Sequence, residues 1–126
     1  MVLQGKVVSG LGNFSFWIAK LEEHYTRKTG MKLFPGTLNV LLEEPYSLPE
    51  RRLRLEKEEY GGTVSINILP CHLFDTPAFL LRTDLNESGH GPHPKNVIEI
   101  ATDVKLRDVY RLSDGDTVVV RIGEHS

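Results

Sequence analysis

Val64-Ser65-Ile66-Asn67-Ile68 alternates apolar and polar residues one for one. Successive side chains of a strand point to opposite faces, so Val64, Ile66 and Ile68 share one side and Ser65 and Asn67 the other. Working outward, Pro70 is expected to end this strand, and Ala78 to Arg82 to form the next. Upstream, Tyr60-Gly61-Gly62 reads as a turn, and Leu53 and Leu55, set among Arg52, Arg54 and Glu56, as an exposed strand. Thr37 to Leu42 alternates after a Phe34-Pro35-Gly36 turn. Leu3 to Ser9, Asn96 to Ala101 and Thr117 to Ile122 complete the strands. Only one stretch has a clear helical period. Phe14, Trp17, Ile18, Leu21 and Tyr25 recur at spacings of three and four, with Asn13 or Ser15 as cap and Gly30 as stop. Lys105 to Arg111 adds a helical turn, and Asp84 to Asn96 reads as a long polar loop. Six or more short strands with one helix predict a mainly β fold, a single closed barrel over residues 1–126, because closure removes exposed strand edges. The strand spacing does not fit a doubly wound α/β sheet.

The chain has 126 residues, a formal charge of −2 and one cysteine, Cys71. Coating DNA or an anionic membrane requires a positive surface, so neither a nucleic-acid nor a membrane partner is expected. The basic cluster Arg51, Arg52, Arg54 is followed at once by Glu56, Glu58 and Glu59. A single cysteine excludes an internal disulfide and a multi-cysteine zinc site and fits a reducing compartment. No apolar run is long enough to span a membrane, and Met1 to Lys6 lacks a signal pattern, so a cytoplasmic location is expected. Composition leaves a small enzyme or a binding module.

Four short stretches carry possible chemistry. Gly10-Leu11-Gly12 lies between a strand and a helix, where backbone amides can approach a phosphate; the ordinary reading is a tight turn. Thr37 and Asn39, two apart in a strand, share a face and can offer a hydroxyl and an amide oxygen to Mg2+, or form a solvent-facing polar pair. Glu99, between Ile98 and Ile100, faces away from the side they bury. In a barrel mouth it can take a proton from a substrate hydroxyl; on the outside it is a plain surface carboxylate. Lys105-Leu106-Arg107 can bind a nucleotide, or be simply solvated.

Their order along the chain is more specific than any one of them. Gly5-Lys6-Val7-Val8-Ser9-Gly10-Leu11-Gly12, then Phe34-Pro35-Gly36-Thr37-Leu38-Asn39-Val40, Ile98-Glu99-Ile100-Ala101, Lys105-Leu106-Arg107 and Leu112-Ser113-Asp114-Gly115-Asp116 together resemble the CTP-dependent riboflavin kinases known mainly from archaea. The resemblance implies a six-stranded cradle-loop barrel that moves the γ-phosphate of CTP to the 5′-hydroxyl of riboflavin, giving FMN and CDP. It implies that Gly10, Leu11, Gly12, Asn13, Phe14 and Ser15 lie on the nucleotide, with Val104, Lys105, Leu106 and Arg107 completing that site. It implies Thr37 and Asn39 as ligands of one Mg2+ bridging the nucleotide phosphates, and Glu99 at the flavin as general base or orienter. Thr83 is the match for a flavin-phosphate threonine. A monomer or weak homo-oligomer is expected.

The sequence departs from the family pattern at two places. Asn13-Phe14 stands where the family usually has another glycine after Gly-Leu-Gly, and the 84–96 loop is longer. His90 and His93 in that loop are expected to be solvated, since no third metal ligand is spaced to them. Cys71 is expected to be buried, and Trp17 to pack the helix onto the barrel. A barrel that binds flavin or nucleotide without transferring phosphate is the alternative function, and a nucleic-acid module is a third.

Overall fold

Strand alternation closes this chain on itself. The computed structural model describes residues 1–10, 14–91, 93–123 and 125. Its strands are β1 (Val2–Val8), β2 (Leu38–Leu42), β3 (Leu53–Leu55), β4 (Ile66–Leu73), β5 (Thr76–Thr83), β6 (Val97–Ala101) and β7 (Thr117–Ile122). All pairings are antiparallel, in the order β3-β4-β5-β6-β2-β1-β7, and a β4–β7 pairing closes a six-stranded barrel with β3 as an extra strand.

Pro70 does not end its strand, contrary to the sequence expectation. β4 runs through it to Leu73. One edge of β4 pairs with β3 over Ile66 to Ile68 and with β7 over Cys71 to Leu73. Pro70 falls where that edge changes partners, a place where a missing N–H removes no bond to either.

The barrel wall has two buried faces. Val7, Val40 and Ile98 pair in one row, and Leu38, Ile100, Leu80 and Leu69 in the next. These side chains fill the interior with Cys71, Val118 and Val120. Burial pushes the Cys71 thiol up to about 12, which makes it a small hydrophobe at neutral pH. The opposite face carries Leu81, Ile68, Leu55 and Phe79, which form a second core under the helical layer.

That layer is α1 (Phe14–Lys20) and α2 (Glu22–Thr29). The predicted single helix is interrupted at Leu21, whose backbone leaves helical geometry while Leu21 N–H still bonds Trp17 O and Tyr25 N–H bonds Leu21 O. The apolar stripe therefore continues, and Phe14, Ile18, Leu21 and Tyr25 all enter the second core. Trp17 packs against the same core, as expected. Gly30 stops α2 at φ 72, a left-handed conformation that suits glycine. Ser15 is an exposed residue inside α1 and not its cap, and Asn13 lies outside the described residues.

Three short helices complete the fold. The Tyr60 turn is the end of α3 (Lys57–Tyr60), closed by a reciprocal capping box between Glu56 and Glu59. The 84–96 loop begins with α4 (Asp84–Glu87), because the Thr83 hydroxyl accepts from Asn86 N–H and caps it. α5 (Leu106–Val109) is shorter than the predicted turn. Leu53 is exposed, as expected of β3, but Leu55 is fully buried. No helix among the described residues is long and apolar enough to cross a membrane.

Candidate active site

The site grows from one row of the outer barrel face. Val8 pairs with Asn39, Asn39 with Glu99, Glu99 with Leu81 and Leu81 with Ile68. Directly opposed residues of antiparallel strands share a face, so Asn39 and Glu99 stand side by side. Leu81 and Ile68 extend the row into the apolar second core.

Glu99 faces away from the interior, as the alternation required, yet it is neither in a barrel mouth nor a plain surface carboxylate. Only 5% of it is exposed. Burial holds its carboxyl above the ordinary carboxylate range. A hydrogen bond from Thr37 Oγ1 to Oε1 at 2.9 Å pulls the other way, as do the His93 and Arg82 charges. Oε2 has no protein partner among the described residues.

Thr37 and Asn39 share the face of Glu99, as their spacing predicted. Asn39 is buried, and its Oδ1 has no hydrogen-bond partner among the described residues. A Cβ at Gly10 would stand 2.1 Å from Asn39 Nδ2, so a larger residue just after β1 would have to displace this amide. The orphaned Oδ1 and the Thr37 hydroxyl, which keeps its lone pairs while donating to Glu99, form an oxygen pair that fits a hard divalent cation. No cluster of three His, Cys, Asp or Glu side chains suited to a metal occurs among the described residues.

Two cavities meet at this row. The first, about 440 Å³, is lined by Gly10, Ser15, Thr37, Asn39 and the Val104–Arg107 segment, among others. Every described member of the predicted nucleotide set lines it: Gly10, Phe14, Ser15, Val104, Lys105, Leu106 and Arg107. Leu11, Gly12 and Asn13 lie outside the described residues. Within the set the roles differ. Leu106 drives its side chain into the interior core and anchors the segment. Arg107 bonds Asp114 Oδ1 at 2.6 Å and Val8 O at 3.3 Å, while Ser9 Oγ donates to Asp114 Oδ2 at 2.6 Å. The Ser9 and Arg107 bonds hold the Asp114 carboxyl below its usual range. The Asp114-Gly115-Asp116 stretch thus ties the end of β1 to the 104–107 wall.

The second cavity, about 380 Å³, has largely apolar and aromatic walls that include Trp17, Leu21, Tyr25, Tyr60 and Val64. Thr83, Asn86, His93 and Glu99 add polar groups. Among the described residues, Phe14 and Glu99 alone line both cavities. Phe14 is therefore a buried residue of the second core and a divider between the cavities.

Sequence reasoning missed most of the second cavity. Tyr25 was legible as helix core but not as cavity wall. His93 does not lie in solvent as expected; it is half-buried and lines the cavity with Glu99. His90 is exposed, as predicted. His93 N–H donates to Asn86 Oδ1 at 3.4 Å, and the segment that carries it is bonded by Arg82. Its guanidinium, with the side chain 3% exposed, bonds Glu87 Oε1 at 2.9 Å, Lys95 O at 3.0 Å and Tyr46 O. It pins both ends of the 84–96 segment to the barrel. A nearby network uses the basic cluster internally: Arg52 and Arg54 both donate to Asn67 Oδ1, and Arg54 pairs with Glu56 and Asp84.

The family model CTP-dep_RFKase, described as a domain of unknown function (DUF120), matches residues 7–122. A protein of Aeropyrum pernix named riboflavin kinase is 32% identical, over 96% of this chain and 95% of its own length. Proteins of the same name from Methanocella arvoryzae and Pyrobaculum aerophilum are 33% and 36% identical over 96% and 95% of this chain. The aligned region covers 56% and 60% of those two longer proteins.

Proposed function

Because the chain belongs to the CTP-dep_RFKase family, we propose that it is a riboflavin kinase, transferring the γ-phosphate of CTP to the 5′-hydroxyl of riboflavin to give FMN and CDP. The observation that carries this reading is the position of Glu99 on the boundary between a polar and an aromatic cavity. A phosphoryl transfer needs its donor and acceptor to meet at one place, and no other titratable side chain among the described residues lines both. The choice of CTP as donor rests on the family's name.

In this reading the polar cavity takes the nucleotide and the aromatic cavity takes the flavin ring, with Thr83 and Glu99 as its polar contacts. Glu99 orients the 5′-hydroxyl and accepts its proton as the new O–P bond forms and the bond from the γ-phosphorus to the β-phosphate oxygen breaks. A buried carboxylate is a stronger base than a surface one, which suits that role. Asn39 Oδ1 and the Thr37 hydroxyl would hold one divalent cation, taken as Mg2+. When bound, it supplies charge neutralisation for the nucleotide phosphates. Covering the site with α1 and α2 excludes water, which would otherwise compete as acceptor.

The test is to incubate this chain with riboflavin, Mg2+ and each of CTP, ATP, GTP and UTP, then to separate FMN by chromatography. FMN from CTP alone is the expected result. No FMN from any donor, with riboflavin still raising the melting temperature, would sink the kinase reading in favour of a flavin-binding barrel. Asn39→Ala is expected to raise the Mg2+ concentration for half-maximal FMN formation by about 10–100-fold, the loss typical of disturbing a metal shell. A metal titration of FMN yield checks it, and an unchanged midpoint would remove Asn39 from the metal site.

A further inference from the structure

Nothing above uses the hydroxyl of Tyr25. The residue is 0% exposed, and its hydroxyl has no hydrogen-bond partner among the described residues. That is unusual, because a buried tyrosine hydroxyl ordinarily finds a partner. Two other tyrosines of this chain follow the rule: Tyr60 bonds Val64 O, and Tyr110 bonds Thr76. Leaving such a group unpaired is costly, and phenylalanine would fill the same apolar space without that cost.

The place of Tyr25 suggests what the hydroxyl is for. α2 puts it on the wall of the aromatic cavity, together with Glu99, Asn86 and His93. Burial first, then the neighbouring Tyr60 and Glu99, raise its pKa far above that of a free phenol. It therefore keeps its proton and acts as a donor. Its electrostatic neighbour Glu99 is the group on the phosphate side of the cavity, whereas the broad apolar walls suit a fused aromatic ring. A donor near Glu99 meets the part of the acceptor beside the reacting hydroxyl.

We propose that Tyr25 is a specificity-determining residue whose hydroxyl donates to the polyol chain of riboflavin, next to the hydroxyl that accepts phosphate. This rests on the riboflavin kinase reading and extends it to a residue whose role there was only packing. A site built to hydrogen-bond a ligand oxygen discriminates against an analogue that lacks it. Lumiflavin, which keeps the ring and replaces the polyol with methyl, is such an analogue.

The experiment titrates wild type and Tyr25→Phe with riboflavin and with lumiflavin by flavin fluorescence, and measures the melting temperature of each ligand-free protein. The expected result is a roughly tenfold weaker affinity of the variant for riboflavin and an unchanged affinity for lumiflavin. Its ligand-free melting temperature should equal or exceed that of wild type. Riboflavin affinity within about twofold of wild type would overturn the proposal. So would an equal loss for both ligands, which would assign the hydroxyl to the ring. A lower ligand-free melting temperature would overturn it too, by giving the hydroxyl a structural partner. The two readings fail separately: a wild type that makes FMN beside an unaffected variant removes Tyr25 alone, whereas a wild type that binds no riboflavin removes both.

Discussion

Replacing Glu99 by glutamine is expected to lower FMN formation by about 10²–10⁴-fold, the usual contribution of a positioned general base, and to raise the melting temperature at neutral pH. The two effects have one cause. Burial lifts the Glu99 carboxyl above its ordinary value of 4.5, so the fold favours the protonated form. The contribution of Glu99 to stability is thus most favourable below the ordinary carboxylate range. It is lost as pH rises through the raised folded value, and at neutral pH the buried charge is a burden. Glutamine removes that charge, keeps the side-chain length, and keeps an oxygen to accept the Thr37 hydroxyl at the 2.9 Å position. Melting curves between about pH 4 and 8 should show the variant ahead at high pH and the gap closing in acid. A variant less stable than wild type at pH 7 would mean that the opposing pulls of Thr37, His93 and Arg82 outweigh burial. Wild-type rates of FMN formation would remove Glu99 from the chemistry. The desolvation that would strengthen Glu99 as a base is the same one that lowers stability at neutral pH.

Arg82→Ala is expected to cost about 3–5 kcal/mol of stability, the range for removing one partner of a buried ion pair. The side chain is 3% exposed and pairs with Glu87 at 2.9 Å. It also satisfies carbonyls of Tyr46 and Lys95, from segments on either side of it in sequence. Alanine would leave Tyr46 O without its donor, Lys95 O with only the Tyr46 N–H at 3.0 Å, and Glu87 with a distant Lys95 contact at 3.9 Å and the Leu48 N–H. Arg82→Lys should recover only part of the loss, since an ammonium lacks the planar fork that reaches several acceptors at once. Urea denaturation with an unchanged slope and a lowered midpoint is the measurement. A loss under about 1 kcal/mol would show that the 84–96 segment is anchored by other means. The functional consequence is separable. At temperatures where the variant remains folded, riboflavin affinity should fall, because Asn86 and His93 lose their fixed place on the cavity wall.

Much of the fold was legible in the sequence because it rests on period. Val64 to Ile68, Thr37 to Leu42 and Thr117 to Ile122 alternate, and strands form over Ile66–Leu73, Leu38–Leu42 and Thr117–Ile122. The stripe from Phe14 to Tyr25 repeats at three and four, and it makes the helical face that covers the barrel. The ordered motifs were legible for a different reason. Asn39 and Glu99 lie on paired strands with Thr37 just before β2, and Thr37 bonds Glu99, so short local spacing was enough to expect Thr37 and Asn39 on one face.

The rest depended on what lies opposite each face. Alternation establishes that Glu99 and its flanking isoleucines point apart, but not whether the second face meets water. In the folded chain Glu99 is buried on a cavity wall shared with Phe14, Trp17 and Tyr25, and that burial raises its pKa. The same holds for Pro70, a strand terminator by local rules, which is tolerated because β4 changes neighbours there. It holds for His93, a loop residue by composition, which lies half-buried on the cavity wall in a segment that Arg82 bonds at Glu87 and Lys95. It holds for Tyr25, whose ring follows helical periodicity while the isolation of its hydroxyl depends on every neighbouring element. The sequence by itself determined which residues turn together, because that is set by backbone geometry within a few residues. The tertiary structure decided which of those faces became core, cavity or site, because burial and electrostatics depend on what distant segments bring against them.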